Sequence, residues 1–161
     1  MINILFVCMG NICRSPSGEA VMTKIISDAG LEDKINCDSA GTIAFHEGEK
    51  ADSRMQKHAV KRGYDLTSIA RKIRFKDFEV FDYIVTMDNA NYADVLAFDT
   101  ESLYSNKISR MTSYCTKYND KEVPDPYYGG PEGFEHVLDL LEDACTGLLE
   151  KIRKDHPELN Q

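Results

Sequence analysis

The stretch Ile2-Asn3-Ile4-Leu5-Phe6-Val7-Cys8-Met9-Gly10-Asn11-Ile12-Cys13-Arg14-Ser15-Pro16 decides how this chain folds. Its first half is a nearly unbroken apolar run rich in β-formers, the pattern of a strand covered on both faces. Its last residues open a helix, with Pro16 early in the first turn, where a missing N–H costs nothing. A buried strand running through a short loop into a helix is the first half of a β-α-β unit.

Outward from there the pattern repeats. The first helix reads through Ala20, Val21 and Ile25 and ends at Gly30. Ile35–Ser39 is a second strand, and a helix over about 52–62 stops at Gly63. Tyr83–Met87 is a third strand, followed by a helix over about 89–97, and Lys107–Met111 is a weak fourth strand. Phe134, Val137, Leu138, Leu141, Ala144, Cys145, Leu148, Leu149 and Ile152 recur at helical spacing and make the strongest amphipathic helix. Strands alternating with helices predict an α/β fold in three layers, a four-stranded parallel sheet flanked by helices in Rossmann-like fashion. With no repeat or linker tract, residues 1–161 read as a single domain.

Composition narrows the function. The 161 residues carry 19 Lys+Arg against 27 Asp+Glu, a formal charge of −8, which disfavours nucleic acid as the main partner. No apolar run approaches the roughly 18 residues that span a bilayer, so no membrane partner is expected. Met1–Val7 is too short for a signal peptide and has no basic residue before it. Five cysteines without scaffold-like spacing suit a reducing, cytoplasmic setting. The charge is uneven: Lys50–Lys76 holds nine basic and two acidic residues, +7 against −15 for the rest. That stretch reads either as a solvated face or as a field that draws in an anionic partner.

In a parallel sheet, ligands bind beyond the carboxyl ends of the strands, which directs attention to the loop after the first strand. Gly10 and Asn11 tolerate left-handed backbone geometry, so the loop can turn successive N–H groups inward as an anion nest. The following helix adds its N-terminal dipole, and the Arg14 fork can clamp two oxygens of an oxyanion. The same surroundings favour a thiolate at Cys8, in line with a bound phosphate. The leaving oxygen then needs a proton. Asp125, in Val123-Pro124-Asp125-Pro126-Tyr127-Tyr128-Gly129-Gly130, lies on a loop between the fourth strand and the last helix. Alone, that sequence reads as an ordinary turn; beside Cys8 and Arg14 it reads as the acid, with the paired tyrosines as an aromatic wall.

These residues resemble the low-molecular-weight protein tyrosine phosphatases. The segment Val7–Pro16 is similar to that family's phosphate loop almost residue for residue. Ser39-Ala40-Gly41-Thr42, Asp52-Ser53-Arg54, Ala70-Arg71-Lys72, Phe81-Asp82-Tyr83-Ile84, Met87-Asp88 and Asp125-Pro126-Tyr127-Tyr128 follow in the family's order. The resemblance implies the phosphotyrosine phosphatase I fold and a two-step hydrolysis of phosphotyrosine proteins that uses neither metal nor cofactor. It implies a phosphocysteine on Cys8, phosphate binding by Arg14 and the amides of Met9, Gly10, Asn11, Ile12 and Cys13, and acid/base work by Asp125. Ser15 would steady the thiolate, Asn11 and Ser39 would brace the loop, and Phe45 and Tyr127 would line the pocket. It also suggests a tyrosine kinase acting on Tyr127 or Tyr128. Two departures stand out: Ser68 where the family often has His, so that Ser68 would take over part of the bracing, and Phe45 where it often has Trp.

Other readings fit less well. Thioredoxin-coupled arsenate reductases of this fold need two further cysteines, and Phe81–Phe98 contains none. Arginine-phosphate phosphatases tend to carry Thr where Ile12 stands, and a branched apolar residue suits a phenyl ring. A non-catalytic phosphopeptide module would not need both Cys8 and Asp125. A nucleotide-binding domain would show a dinucleotide glycine pattern or a Gly-Lys-Ser/Thr loop, and no further ligands complete a zinc site with Cys8 and Cys13. Cys13 reads either as a small packing residue or as a resolving thiol for redox protection of Cys8. Cys37, Cys115 and Cys145 read as packing residues, and His46, His58, His136 and His156 form no constellation.

Overall fold

A computed structural model describes all residues 1–161. The apolar run becomes strand β1 (Ile2–Cys8), the second position in a parallel four-stranded sheet of order β2-β1-β3-β4. β1 pairs on one side with β2 (Ile35–Gly41), with Cys8 opposite Gly41. On the other side it pairs with β3 (Tyr83–Thr86), which pairs in turn with β4 (Ile108–Arg110). Alternation along β1 divides its side chains between two cores. Ile4 and Phe6 pack towards the first and last helices, while Leu5 and Val7 pack with Phe78, Ile84 and Val95 on the opposite face. All four are fully buried, and each such side chain removes roughly 1.5–3 kcal/mol worth of apolar surface from water.

The helices supply the outer layers. α1 (Arg14–Asp28) starts one residue before Ser15, which places Pro16 at its third position, still among the N–H groups that lack an intrahelical acceptor. α2 (Ser53–Lys61) is capped by Asp52, whose side chain accepts from the Arg54 and Met55 N–H groups. α4 (Asn89–Phe98) is capped by Asp88. α5 (Pro131–Asp155) buries the predicted stripe from Phe134 to Ile152, with Leu140 added, and packs along α1. None of the helices is long and apolar enough to cross a membrane.

The sequence pattern missed one helix, α3 (Phe75–Val80). It has six residues, and its first turn is held by the Arg74 N–H donating to Asp77 rather than by an apolar repeat. The fourth strand is shorter than Lys107–Met111, because the chain turns into 3₁₀ geometry on both sides of it. β2 runs two residues beyond Ser39, and this extension matters for the site. Its last residue, Gly41, is bridged by the segment after α2, with the Gly41 N–H donating to the Arg71 carbonyl. A Cβ on Gly41 would lie 2.6 Å from the Met9 carbonyl oxygen, so only glycine lets the loop after β1 pass so near.

Candidate active site

β1 ends at Cys8, and residues 9–13 curl back over its carboxyl end before α1 begins. Asn11 turns the corner with φ 58°, a left-handed conformation that asparagine tolerates better than most residues. The turn aims the Asn11 N–H at Cys8 Sγ, 3.2 Å away, and Ser15 Oγ lies 3.0 Å from the same sulfur. The Asn11 side chain is used completely: Nδ2 donates to Ser15 Oγ (2.7 Å) and Ser39 Oγ (3.0 Å), and Oδ1 accepts from the Arg71 N–H (3.0 Å). Asn11, Ser15 and Ser39 are all buried, where a fully satisfied polar network holds a single geometry.

Ser68 does not join this network. Its hydroxyl is buried without a hydrogen-bond partner, and the acceptor position on Asn11 is filled by the Arg71 main chain instead. The expectation that Ser68 braces the loop is therefore corrected: its hydroxyl meets no partner, and the Arg71 N–H holds Asn11 Oδ1 instead.

Arg14 enters the site from the first turn of α1 and is buried. Nη1 donates to Asp88 Oδ2 at 2.6 Å and to the Val123 carbonyl at 3.0 Å. Nη2 lies 3.8 Å from Asp125 Oδ2. Burial disfavours the Arg14 charge, but Cys8, Asp88 and Asp125 around it more than restore it. Asp125 is held in an Asx turn, its Oδ1 accepting from the Tyr127 N–H at 3.0 Å, which turns Oδ2 towards Arg14.

These groups open into a cleft of about 620 Å³ lined by residues 8–14, by Ile43, Phe45 and His46, and by Asp125, Tyr127 and Tyr128. Ile12 is buried in its wall, while Met9 and Tyr127 are partly exposed and Phe45 and Tyr128 stand out as its rim. The Arg54 guanidinium lies 5.1 Å from the Tyr127 ring centroid, which ties the rim to α2. His46, which the sequence left without a role, is one of the lining residues. Its ring would lie 3.0 Å from a Cβ on Gly10, meets Phe45 edge-on, and holds Glu49 through Nδ1 at 2.8 Å. Nothing in its neighbours along the chain marks this placement; the loop after β2 creates it.

Cys13 is buried beside Cys8, and burial pushes its thiol up, with Asp52 and Cys8 adding to the effect. It is a neutral thiol at physiological pH, which suits packing and slows any attack by it on a neighbouring sulfur. Cys37 and Cys145 are likewise pushed up by burial.

A parallel α/β sheet whose first strand ends in a buried cysteine, at the floor of a cleft that also holds an arginine from the next helix, defines a class of α/β protein with its site beyond the strand ends. Comparison with known proteins specifies which kind. The family model for low molecular weight phosphotyrosine protein phosphatases matches residues 3–158. A low molecular weight protein-tyrosine-phosphatase of Streptomyces coelicolor is 40% identical, covering 94% of this chain and 93% of its own. The crystal structure of a protein tyrosine phosphatase from Entamoeba histolytica, with Hepes in its active site, superposes with a TM-score of 0.93 at 50% identity, covering 96% of this chain and 99% of that one. The structure of YfkJ from Bacillus subtilis gives 0.90 at 36% identity, covering 97% of each. This chain belongs to the low molecular weight phosphotyrosine protein phosphatase family, a family of hydrolases.

Proposed function

We propose that the protein hydrolyses phosphotyrosine in protein substrates through a phosphocysteine intermediate on Cys8. The observation that carries this reading is the Cys8 sulfur, which meets the Asn11 N–H and the Ser15 hydroxyl at the floor of a cleft that also holds Arg14 and Asp125. Donors aimed at a sulfur stabilise its anion and later its departure as a leaving group.

The substrate phosphate sits in the loop, its equatorial oxygens held by main-chain N–H groups and by the Arg14 fork. Cys8 Sγ attacks phosphorus, the S–P bond forms and the P–O bond to the tyrosine ring breaks. Asp125 gives its proton to the departing phenolate oxygen. In the second step a water molecule attacks phosphorus and passes a proton to Asp125. The S–P bond breaks, phosphate leaves, and the thiolate is restored. Donors fixed before reaction cost no reorganisation at the transition state. The buried Ile12 and the rings of Phe45 and Tyr127 give the phenyl ring an apolar slot.

Hydrolysis of para-nitrophenyl phosphate by the wild type and by Cys8→Ser tests the mechanism: activity is expected only with the sulfur. Phosphotyrosine and phosphoarginine peptides assayed side by side test the substrate, and a strong preference for phosphoarginine overturns that part of the reading.

A further inference from the structure

Residues 124–129 carry Asp125 at the cleft, yet their hydrogen bonds run only within the segment. The Tyr127 N–H donates to Asp125 Oδ1 at 3.0 Å, and the Gly129 N–H donates to the Pro126 carbonyl at 3.0 Å. Val123, just before the segment, is tied to the sheet by donating to the Met87 carbonyl at 2.8 Å, and Pro126 is buried beside Gly133 of α5. The aim of the Asp125 carboxyl depends on the Tyr127 main chain, because the Asx turn closes there. Tyr127 is held in turn by packing of its ring. The Tyr128 ring, 5.0 Å away, is itself exposed, and the His46 ring lies at 6.3 Å. The remaining neighbour is the Arg54 guanidinium, 5.1 Å from the Tyr127 centroid.

Arg54 is well fixed for this task. Its Nε and Nη2 hold the two oxygens of Asp52 at 3.2 and 3.0 Å, a fork that a lysine does not reproduce. The same guanidinium lies 5.1 Å from the ring centroid of Phe134, which is buried at the start of α5 and stacked on His58. Asp52 is anchored as well: its side chain caps α2, and its own N–H donates to the Ile12 carbonyl in the phosphate loop at 2.9 Å. A strut thus runs from the Ile12 main chain through Asp52, Arg54 and Tyr127 to Asp125. It joins the loop that carries the sulfur to the segment that carries the acid.

We propose that Arg54 is a positioning residue for Asp125, holding the Tyr127 ring and hence the Asx turn at a fixed place relative to the phosphate loop. The effect on turnover rests on the reading of Asp125 as general acid; the positioning itself does not.

The kinetic test compares kcat/KM for phenyl phosphate, whose leaving group needs a proton, with that for para-nitrophenyl phosphate, whose leaving group needs it far less. Neither substrate has a peptide flank for Arg54 to bind. Arg54→Ala should lose roughly tenfold with phenyl phosphate, a share of the about 10²–10⁴ that a general acid supplies, and less than about threefold with para-nitrophenyl phosphate. In the Asp125→Asn background the same change should cost nothing more, since the acid it aims is gone. Arg54→Lys keeps the charge without the fork and should still lose at least roughly threefold with phenyl phosphate, which carries the test if Arg54→Ala does not fold. Equal losses with the two substrates, a loss that adds in full to that of Asp125→Asn, or full activity in Arg54→Lys overturns the proposal.

¹⁵N relaxation reads the positioning without substrate. The order parameter of the Tyr127 amide, about 0.85 when held, should fall towards about 0.6 in both Arg54 variants and stay high in Cys8→Ser. An unchanged value in the Arg54 variants overturns the proposal. An Asp125→Asn variant as fast as the wild type instead sinks the acid reading, and the order parameter still decides whether Arg54 holds the segment.

Discussion

Arg14, buried, and Asp88, partly buried, form an ion pair in which each partner keeps a second function. Asp88 Oδ2 takes Arg14 Nη1 at 2.6 Å, while Asp88 Oδ1 caps α4 by accepting from the Asn91 N–H at 2.7 Å. The pair fixes one arm of the guanidinium and leaves the rest of the fork to the cleft. Asp88→Asn keeps an acceptor for the cap but removes the charge, whereas Asp88→Ala removes both. Both variants should lose more than tenfold in kcat/KM, since a misplaced clamp costs transition-state binding. Only Asp88→Ala should also lose the cap, about 1 kcal/mol. Paired kinetics and thermal melts check this; equal melting of the two variants with normal kinetics would count against it.

Asp125 points one oxygen at Arg14 and gives the other to the Tyr127 N–H. In the proposed role of general acid it matters most where the leaving phenolate is a strong base. Asp125→Asn should therefore slow unactivated phenyl phosphates by roughly 10²–10⁴-fold and para-nitrophenyl phosphate far less. An unchanged rate with poor leaving groups removes Asp125 from the mechanism.

Gly147 sits in the middle of α5, where Gly→Ala ordinarily adds about 1 kcal/mol of stability. Here a Cβ would lie 1.9 Å from the Tyr114 carbonyl oxygen. That partner is backbone and cannot swing aside, so Gly147→Ala should destabilise the fold by about 2 kcal/mol or more. Denaturant unfolding reads the sign directly, and any gain in stability contradicts the packing described for α5.

The fold was legible in the sequence to the extent that burial imposed a pattern. Ile2–Val7 is apolar at almost every position because β1 is covered on both faces, and α5 shows its stripe because it lies on the core along its length. α3 left no such trace, since two buried residues, Asp77 and Phe78, do not make a period. In the site, contiguity made the loop readable: Cys8, Asn11, Arg14 and Ser15 lie within eight residues. Asp88 and Arg71 reach the same site only through the crossovers of the sheet. Ser68 shows the converse, a residue placed next to the network by its neighbours in sequence whose hydroxyl finds no partner.

The basic stretch Lys50–Lys76 is less of a field than its charge count suggests. Arg54 pairs with Asp52, Arg62 with Glu135, Asp139 and Glu142, and Arg71 with Asp38 and Asp77. Acids from outside the stretch thus neutralise part of it. Steering of an anionic substrate should be modest: kcat/KM falling about twofold to threefold as salt is raised from roughly 20 to 200 mM, with kcat constant. Charge reversal at Lys57 and Lys61 should flatten that dependence. A steep salt effect on kcat itself points instead to the site.

Asp143 ties the segment after β4 to α5 by accepting from the N–H groups of Thr116, Lys117 and Tyr118. Burial works against its charge, but these three donors outweigh burial and bring the carboxyl down to about 2. A carboxyl that is more acidic folded than unfolded stabilises the fold above its unfolded value, near 4, and that stability drains away as pH falls towards the folded value. Asp143 also lines an open polar cleft with Lys117 and Glu142, so water screens the interaction and the contribution is set at about 1 kcal/mol. Urea unfolding of wild type and Asp143→Asn at about pH 7 and pH 3 should show the variant less stable at neutrality, with the gap narrowing on acidification. A gap that stays constant with pH would mean that the carboxylate charge is not what holds the segment.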